Sequence, residues 1–171
     1  MKNLIIRYGI ISSVVMMGMF GLTYLFVGEN YDLSEKLGYA SILISMIFVF
    51  LGIREYRDKV GAGHITFWQA IKVGLMIVAI PSIVFGLFNV IYVMFIDPEF
   101  MENFYQKSLM DLKATSTAEE YAIKSAEMES QKEMFMNPFI QFLVMGMTVF
   151  LMGIVTSILS SFVLKKESSS N

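Results

Sequence analysis

The sequence predicts an all-α integral membrane protein. The expected form is a four-helix transmembrane bundle with an extramembrane helical hairpin extending the third and fourth spans. Three observations predict it. Apolar residues make up 56% of 171, or about 58% when Gly replaces Tyr in the set, against roughly 45–50% in soluble domains. Mean hydropathy is +0.61. The charged residues are only 16% of the chain, and they are clustered, leaving four uncharged windows.

Those windows are residues 8–28, 37–53, 73–96 and 134–164, with lengths of 21, 17, 24 and 31 residues. A helix crossing the hydrocarbon core needs about 20 mostly apolar residues, with a usable range of roughly 17–25. The first three fall in that range. The second is short, and Lys36 and Arg54 can snorkel from its ends. The fourth is too long for one plain span, and Pro138 suits the first turn of a helix that enters there. The expected spans are therefore about 5–28, 37–56, 67–96 and 138–164. The first reads as a retained anchor, because its apolar run exceeds a signal-peptide core of roughly 7–15 residues.

The connections carry their own signals. Gly61 and Gly63 allow a turn in the 54–66 loop, and Thr66 with Gln69 forms a capping-box pattern that starts the third helix at Phe67. Phe67 and Trp68 then fall at the membrane interface. In the 97–136 segment, Asp97-Pro98-Glu99 has the form of a helix start. Met101, Phe104, Tyr105, Ser108 and Leu112 recur at helical spacing. A break at 114–118 offers a second capping box, Ser116 with Glu119 or Thr117 with Glu120. Tyr121, Met128 and Phe135 form the expected stripe beyond it. The tail from Lys165 is Ser-rich and expected to fray.

Basic residues set the expected orientation. Lys2, Arg7, Arg54, Arg57, Lys59, Lys72, Lys165 and Lys166 fall on one side, which places both termini and the 54–66 loop in the cytoplasm. The 29–36 connection and the 97–136 segment then face outward, the latter with nine acidic residues and four lysines.

Composition also excludes chemistry. There is no Cys, so thiolate metal sites, disulfides and Cys nucleophiles are excluded, and a lone His64 excludes a multi-histidine metal site. A net charge of −2 argues against nucleic acid as a partner. The spans carry almost no internal charge, which argues against a proton-coupled transporter. Asn89 and Gln141 are the polar candidates within spans, read as an interhelical hydrogen bond before a substrate contact. Gly74, Ser82 and Gly86, and Gly146, Gly153, Ser157 and Ser161, form small-residue stripes, read as helix contacts before a pore lining. The 15 Met residues read as flexible packing before a copper site. Glu119, Glu120, Glu127, Glu129 and Glu133, interleaved with Lys124 and Lys132, read as a solvated face before a cation site. His64 with Asp58 is a conceivable acid–base pair without a nucleophile. No catalytic, cofactor-binding or metal residue is assigned, and no cofactor is expected.

The loop residues Tyr56-Arg57-Asp58-Lys59, Gly61-x-Gly63-x-Ile65-Thr66-Phe67-x-Gln69-Ala70 and Gly74 resemble the central signature of the DUF4199 family. Ile96-Asp97-Pro98-x-Phe100 and the Lys165-Lys166 ending resemble it too. Ala62 departs from the glycine or polar residue expected there. The resemblance covers nearly the whole chain. It implies a small four-span protein of the bacterial cytoplasmic (inner) membrane, and it carries no activity or site residue.

The expected function is non-enzymatic, an accessory or interaction subunit. Its partners would be the lipid bilayer and another membrane protein, or further copies of itself. The alternative is a small-solute channel or transporter formed by a homo-oligomer, with Asn89 and Gln141 facing a shared cavity. A membrane enzyme using His64 and Asp58 at a lipid headgroup ranks third.

Overall fold

A chain with four uncharged apolar windows must satisfy its backbone within each segment when it enters lipid, and helices do so. In a computed structural model, which describes residues 1–27 and 30–166, the chain is all-helical. The helices are α1 (Lys2–Val27), α2 (Tyr31–Glu55), α3 (Phe67–Ile91), α4 (Phe100–Thr115), α5 (Ala118–Met136) and α6 (Pro138–Leu164). α2 and α3 each end in a five-residue π-helical turn, Tyr56–Val60 and Tyr92–Ile96. Four helical stretches are long and apolar enough to cross a membrane: Lys2–Val27, Asp32–Val60, Phe67–Ile96 and Pro138–Leu164. Gly28, Glu29 and the tail beyond Lys166 lie outside the described residues.

Several boundaries differ from those the charges suggest. α2 begins at Tyr31 because Asn30 caps it, its side chain accepting the Leu33 N–H at 3.1 Å. Helix thus runs through Asp32, Glu35 and Lys36, whose charges end the apolar window without ending the helix. At the other end the π-helical turn carries helix to Val60, so much of the expected 54–66 loop is helical. α4 is not capped by Asp97. Its side chain accepts from the Tyr92 hydroxyl at 3.3 Å instead, and helix resumes at Phe100 after a turn through Pro98 and Glu99. Asn137 caps α6, accepting from the Phe139 N–H at 2.9 Å.

The chain divides into two compact units. One comprises Met1–Phe85 with the chain from Gly146 onward; the other is Gly86–Met145. In the first unit, α3 and α6 approach through their small residues. A Cβ on Gly74 would strike Ser157, one on Gly153 would strike Val78, and one on Gly146 would lie 3.1 Å from the Ser82 carbonyl oxygen. The small-residue stripes therefore face opposing helices, as close packing in lipid requires. In the same way, a Cβ on Gly9 would lie 2.5 Å from Ile80 and one on Gly52 2.6 Å from Ile77. The Ser12 hydroxyl donates across to the Ser45 carbonyl at 3.0 Å, joining α1 to α2. Most other span serines donate to their own helix, as Ser157 does to Gly153 O at 2.7 Å.

In the second unit, a Cβ on Gly86 would meet Phe142 at 2.7 Å. α4 and α5 form an antiparallel hairpin in which Glu102 meets Lys132 and Tyr105 meets Glu129. Neither helix buries a residue fully. Tyr121 and Met128 are half-buried, whereas Phe135 is exposed and leaves the expected stripe. A 19-residue helix drifts off any strict seven-residue repeat, and Met136 is half-buried where Phe135 is not.

Gly153→Val should lower stability by about 1–3 kcal/mol, the usual cost of overpacking, and Val78→Ala should recover part of it. Gly18→Ala, with nothing within 4 Å of its Cβ, should stabilise by about 0.5–1 kcal/mol. Thermal unfolding in one detergent compares the three.

Candidate functional site

The densest polar chemistry in the first unit lies where α1 begins, α2 ends and α6 ends. Glu55, on the last turn of α2, accepts from the Arg7 guanidinium, from the Tyr8 hydroxyl at 2.6 Å and from Lys59 Nζ at 2.9 Å. The Arg7 guanidinium also lies 4.9 Å from the Tyr8 ring centre, within cation–π reach. One turn further on, Asp58 accepts from Arg57 Nε at 2.7 Å, with Arg54 Nε 3.9 Å away. Lys166, two residues past the end of α6, is brought to the same loop by its backbone pairing with Ile65.

The loop that follows is built from its own motif. Gly61 N–H donates to the Tyr56 carbonyl at 3.0 Å and Gly63 N–H to the Arg57 carbonyl at 2.9 Å. A Cβ on Gly61 would strike the His64 carbonyl. Gly63 has φ +84° and Ala62 φ +49°. Ala62 thus holds a left-handed conformation that costs an L-residue roughly 1–2 kcal/mol, which explains why glycine suits that position. Ile65 is buried and pairs with Lys166 by two backbone hydrogen bonds, Ile65 N–H to Lys166 O at 2.9 Å and Lys166 N–H to Ile65 O at 3.0 Å. Thr66 and Gln69 then form the capping box: Gln69 N–H to Thr66 Oγ1 at 3.3 Å, and Thr66 N–H to Gln69 Oε1 at 3.1 Å. Phe67 is half-buried against Phe162, ring centres 4.8 Å apart, and Trp68 is 70% exposed.

The remaining sequence candidates fall elsewhere. His64 is exposed, its Nδ1 3.1 Å from the Ala62 carbonyl, while Asp58 is held by the two arginines. The acid–base pair is therefore not assembled. In the second unit, Asn89 Nδ2 donates to Gln141 Oε1 at 3.0 Å, and Gln141 Nε2 donates to the Phe135 carbonyl at 3.1 Å. The two amides are spent on an interhelical bond. Among the described residues, every buried side-chain polar atom has a partner, and no group of three or more His, Asp or Glu is placed to hold a metal. An open groove of about 270 Å³ lies between α2 and α6, lined mainly by Leu43, Ile47, Phe50, Leu159 and Val163.

The hairpin is tied by polar and aromatic groups. Lys132 Nζ lies 3.1 Å from Glu102 and 4.6 Å from the Tyr105 ring centre, so this lysine reaches across to α4. Hydrogen bonds from Gln106, and then from Lys132, hold the Glu102 carboxyl below its usual range. The Thr117 backbone N–H, with its hydroxyl, does the same for Glu120 at the capping box of α5. The Tyr105 phenol is pushed up to about 12, first by its hydrogen bond to Glu129 and then by burial.

Four membrane-crossing helices, with a polar knot at one end of the first unit, define a multi-pass membrane protein. A family model for proteins of unknown function, DUF4199, matches residues 7–166, and the chain belongs to that family. No curated protein and no solved structure matches it.

The hairpin's pH dependence follows from these shifts. Glu102 and Glu120 have depressed values, so their contribution is present above the ordinary carboxylate value of about 4.3 and lost as pH falls through the folded one. Tyr105 has a raised value, so its contribution is present below about 10 and lost as pH rises towards 12. Spin labels at Met110→Cys and Ile123→Cys should report one narrow distance from about pH 5 to 10, broadening below about pH 4 and as pH rises towards 12.

Proposed function

We propose that the protein is a non-enzymatic interaction subunit of the bacterial inner membrane, with both termini in the cytoplasm. The observation that carries this reading is the α4–α5 hairpin. It is a two-helix element of 16 and 19 residues, outside the candidate spans, that buries none of its own residues fully. Its helices are held by a few cross-links, Tyr105–Glu129 and Glu102–Lys132, which leaves most of its surface free to meet another protein. The Asn89–Gln141 bond supports packing over a polar cavity shared between copies. The orientation is supported by the grouping of Arg7, the 54–66 loop and Lys166, whose basic residues favour the cytoplasmic side.

Gentle solubilisation from the native membrane, followed by native mass spectrometry, tests the reading. A second protein in fixed stoichiometry is expected, released by the double charge reversal Glu119→Lys and Glu127→Lys on the hairpin. A pure homo-oligomer that conducts solute in liposomes would favour the channel instead.

A further inference from the structure

The polar end of the first unit does not balance its own charge. Arg7 and Lys59 share Glu55, Arg57 and Arg54 lie against Asp58, and Lys166 is tied through its backbone to Ile65 of the same loop. Five cations thus gather with two carboxylates. The Arg54 side chain is 59% exposed and that of Lys59 72% exposed, so the surplus is presented outward. Large apolar groups at the same end are also exposed: Trp68, Phe162 and Val163. Phe162 is linked to the loop through Phe67, and Val163 is three residues from Lys166.

We infer that this end is a binding surface for anionic phospholipids, with Arg54, Lys166 and Lys59 receiving the headgroup phosphate and Trp68 and Val163 contacting the glycerol and upper acyl region. The reasoning is one of charge complementarity at a fixed depth. A free anion needs an enclosed site with converging donors, whereas these cations are spread over a surface and bordered by lipid-facing side chains. An anionic leaflet offers both the charge and the apolar layer beneath it. Asp58 then acts as an internal competitor for the same cations. The surface does not depend on the identity of any protein partner.

The full chain in nanodiscs of phosphatidylglycerol and phosphatidylcholine, mixed equally and with the same acyl chains, provides the test. Lipids retained after release from the disc are counted by native mass spectrometry. The ratio of phosphatidylglycerol to phosphatidylcholine retained should exceed that of the disc several-fold. Arg54→Gln and Lys166→Gln should each lower that ratio, by up to about five-fold, the factor for roughly one surface charge. Both variants should keep the fold, because Lys166 is tied through its backbone and Arg54 only loosely to Asp58. Asp58→Asn should raise the enrichment, since it removes the competitor. Lys107→Gln and Lys113→Gln, on the hairpin, should leave it unchanged. Equal retention of the two lipids would overturn the inference. So would a fall in enrichment for Asp58→Asn at unchanged melting temperature, or displacement of the lipid by millimolar inorganic phosphate in a buffer of matched ionic strength.

Discussion

Within a bilayer, lipid tails are as apolar as the helices they surround, so burial alone does not bring helices together. Close backbone approach does, and in this chain glycines provide it between α3 and α6, as Gly9 and Gly52 do for α1 and α2 against α3. Gly74 receives Ser157, Gly153 receives Val78, and Gly146 receives the Ser82 backbone. A Cβ at Gly74 or Gly153 would overlap a side chain of the facing helix, so a bulky residue at either would force the helices apart. The serines on the seam, Ser82, Ser157 and Ser161, donate to carbonyls of their own helices, so the contact carries no unsatisfied hydroxyl. Dispersion contacts along the seam are individually about 0.1–0.2 kcal/mol, and their number makes them decisive.

The polar end follows from that seam. With α6 held against α3, the end of α6 arrives beside the start of α3, and Lys166 pairs through its backbone with Ile65. The pairing fixes the loop, and the loop requires Gly61 and Gly63 for reasons of space and φ. Arg7 and Tyr8 come to Glu55 because α1 lies antiparallel to α2, joined by the Ser12–Ser45 hydrogen bond further along. Tyr56-Arg57-Asp58-Lys59 and Gly61-x-Gly63-x-Ile65-Thr66 are thus accounted for as the parts of one tight connection. None of these contacts needs a catalytic role to explain it.

The spans were legible because they rest on a coarse signal, the length of an uncharged run. The capping boxes were also legible where one pattern stood alone, as at Thr66 and Gln69. Where two overlapped, at Ser116 and Thr117, spacing did not choose between them, and Thr117 with Glu120 prevails in the structure. The start of α2 was hidden because Asp32, Glu35 and Lys36 mark a membrane boundary, and a helix can cross that boundary unbroken. Asp97 looked like a cap, but the Tyr92 hydroxyl five residues back offers its carboxylate another donor. The Arg7–Glu55 pair was illegible, because its partners are 48 residues apart and nothing local in either records the other. Asn89 and Gln141 stood out individually as polar groups in apolar runs. Their pairing depends on a helix register that no short motif encodes.

The central claim is the register of α3 against α6, and the chain's lack of native cysteine makes it directly measurable. Gly74→Cys with Ser157→Cys, oxidised in native membranes, should form a disulfide in high yield, and so should Val78→Cys with Gly153→Cys, since both pairs of Cβ positions lie within about 1 Å of disulfide spacing. Gly74→Cys with Gly146→Cys should not, because Gly146 lies about three turns, some 16 Å, before Ser157 on α6. Efficient cross-linking of that displaced pair, with none at the first two, would contradict the account.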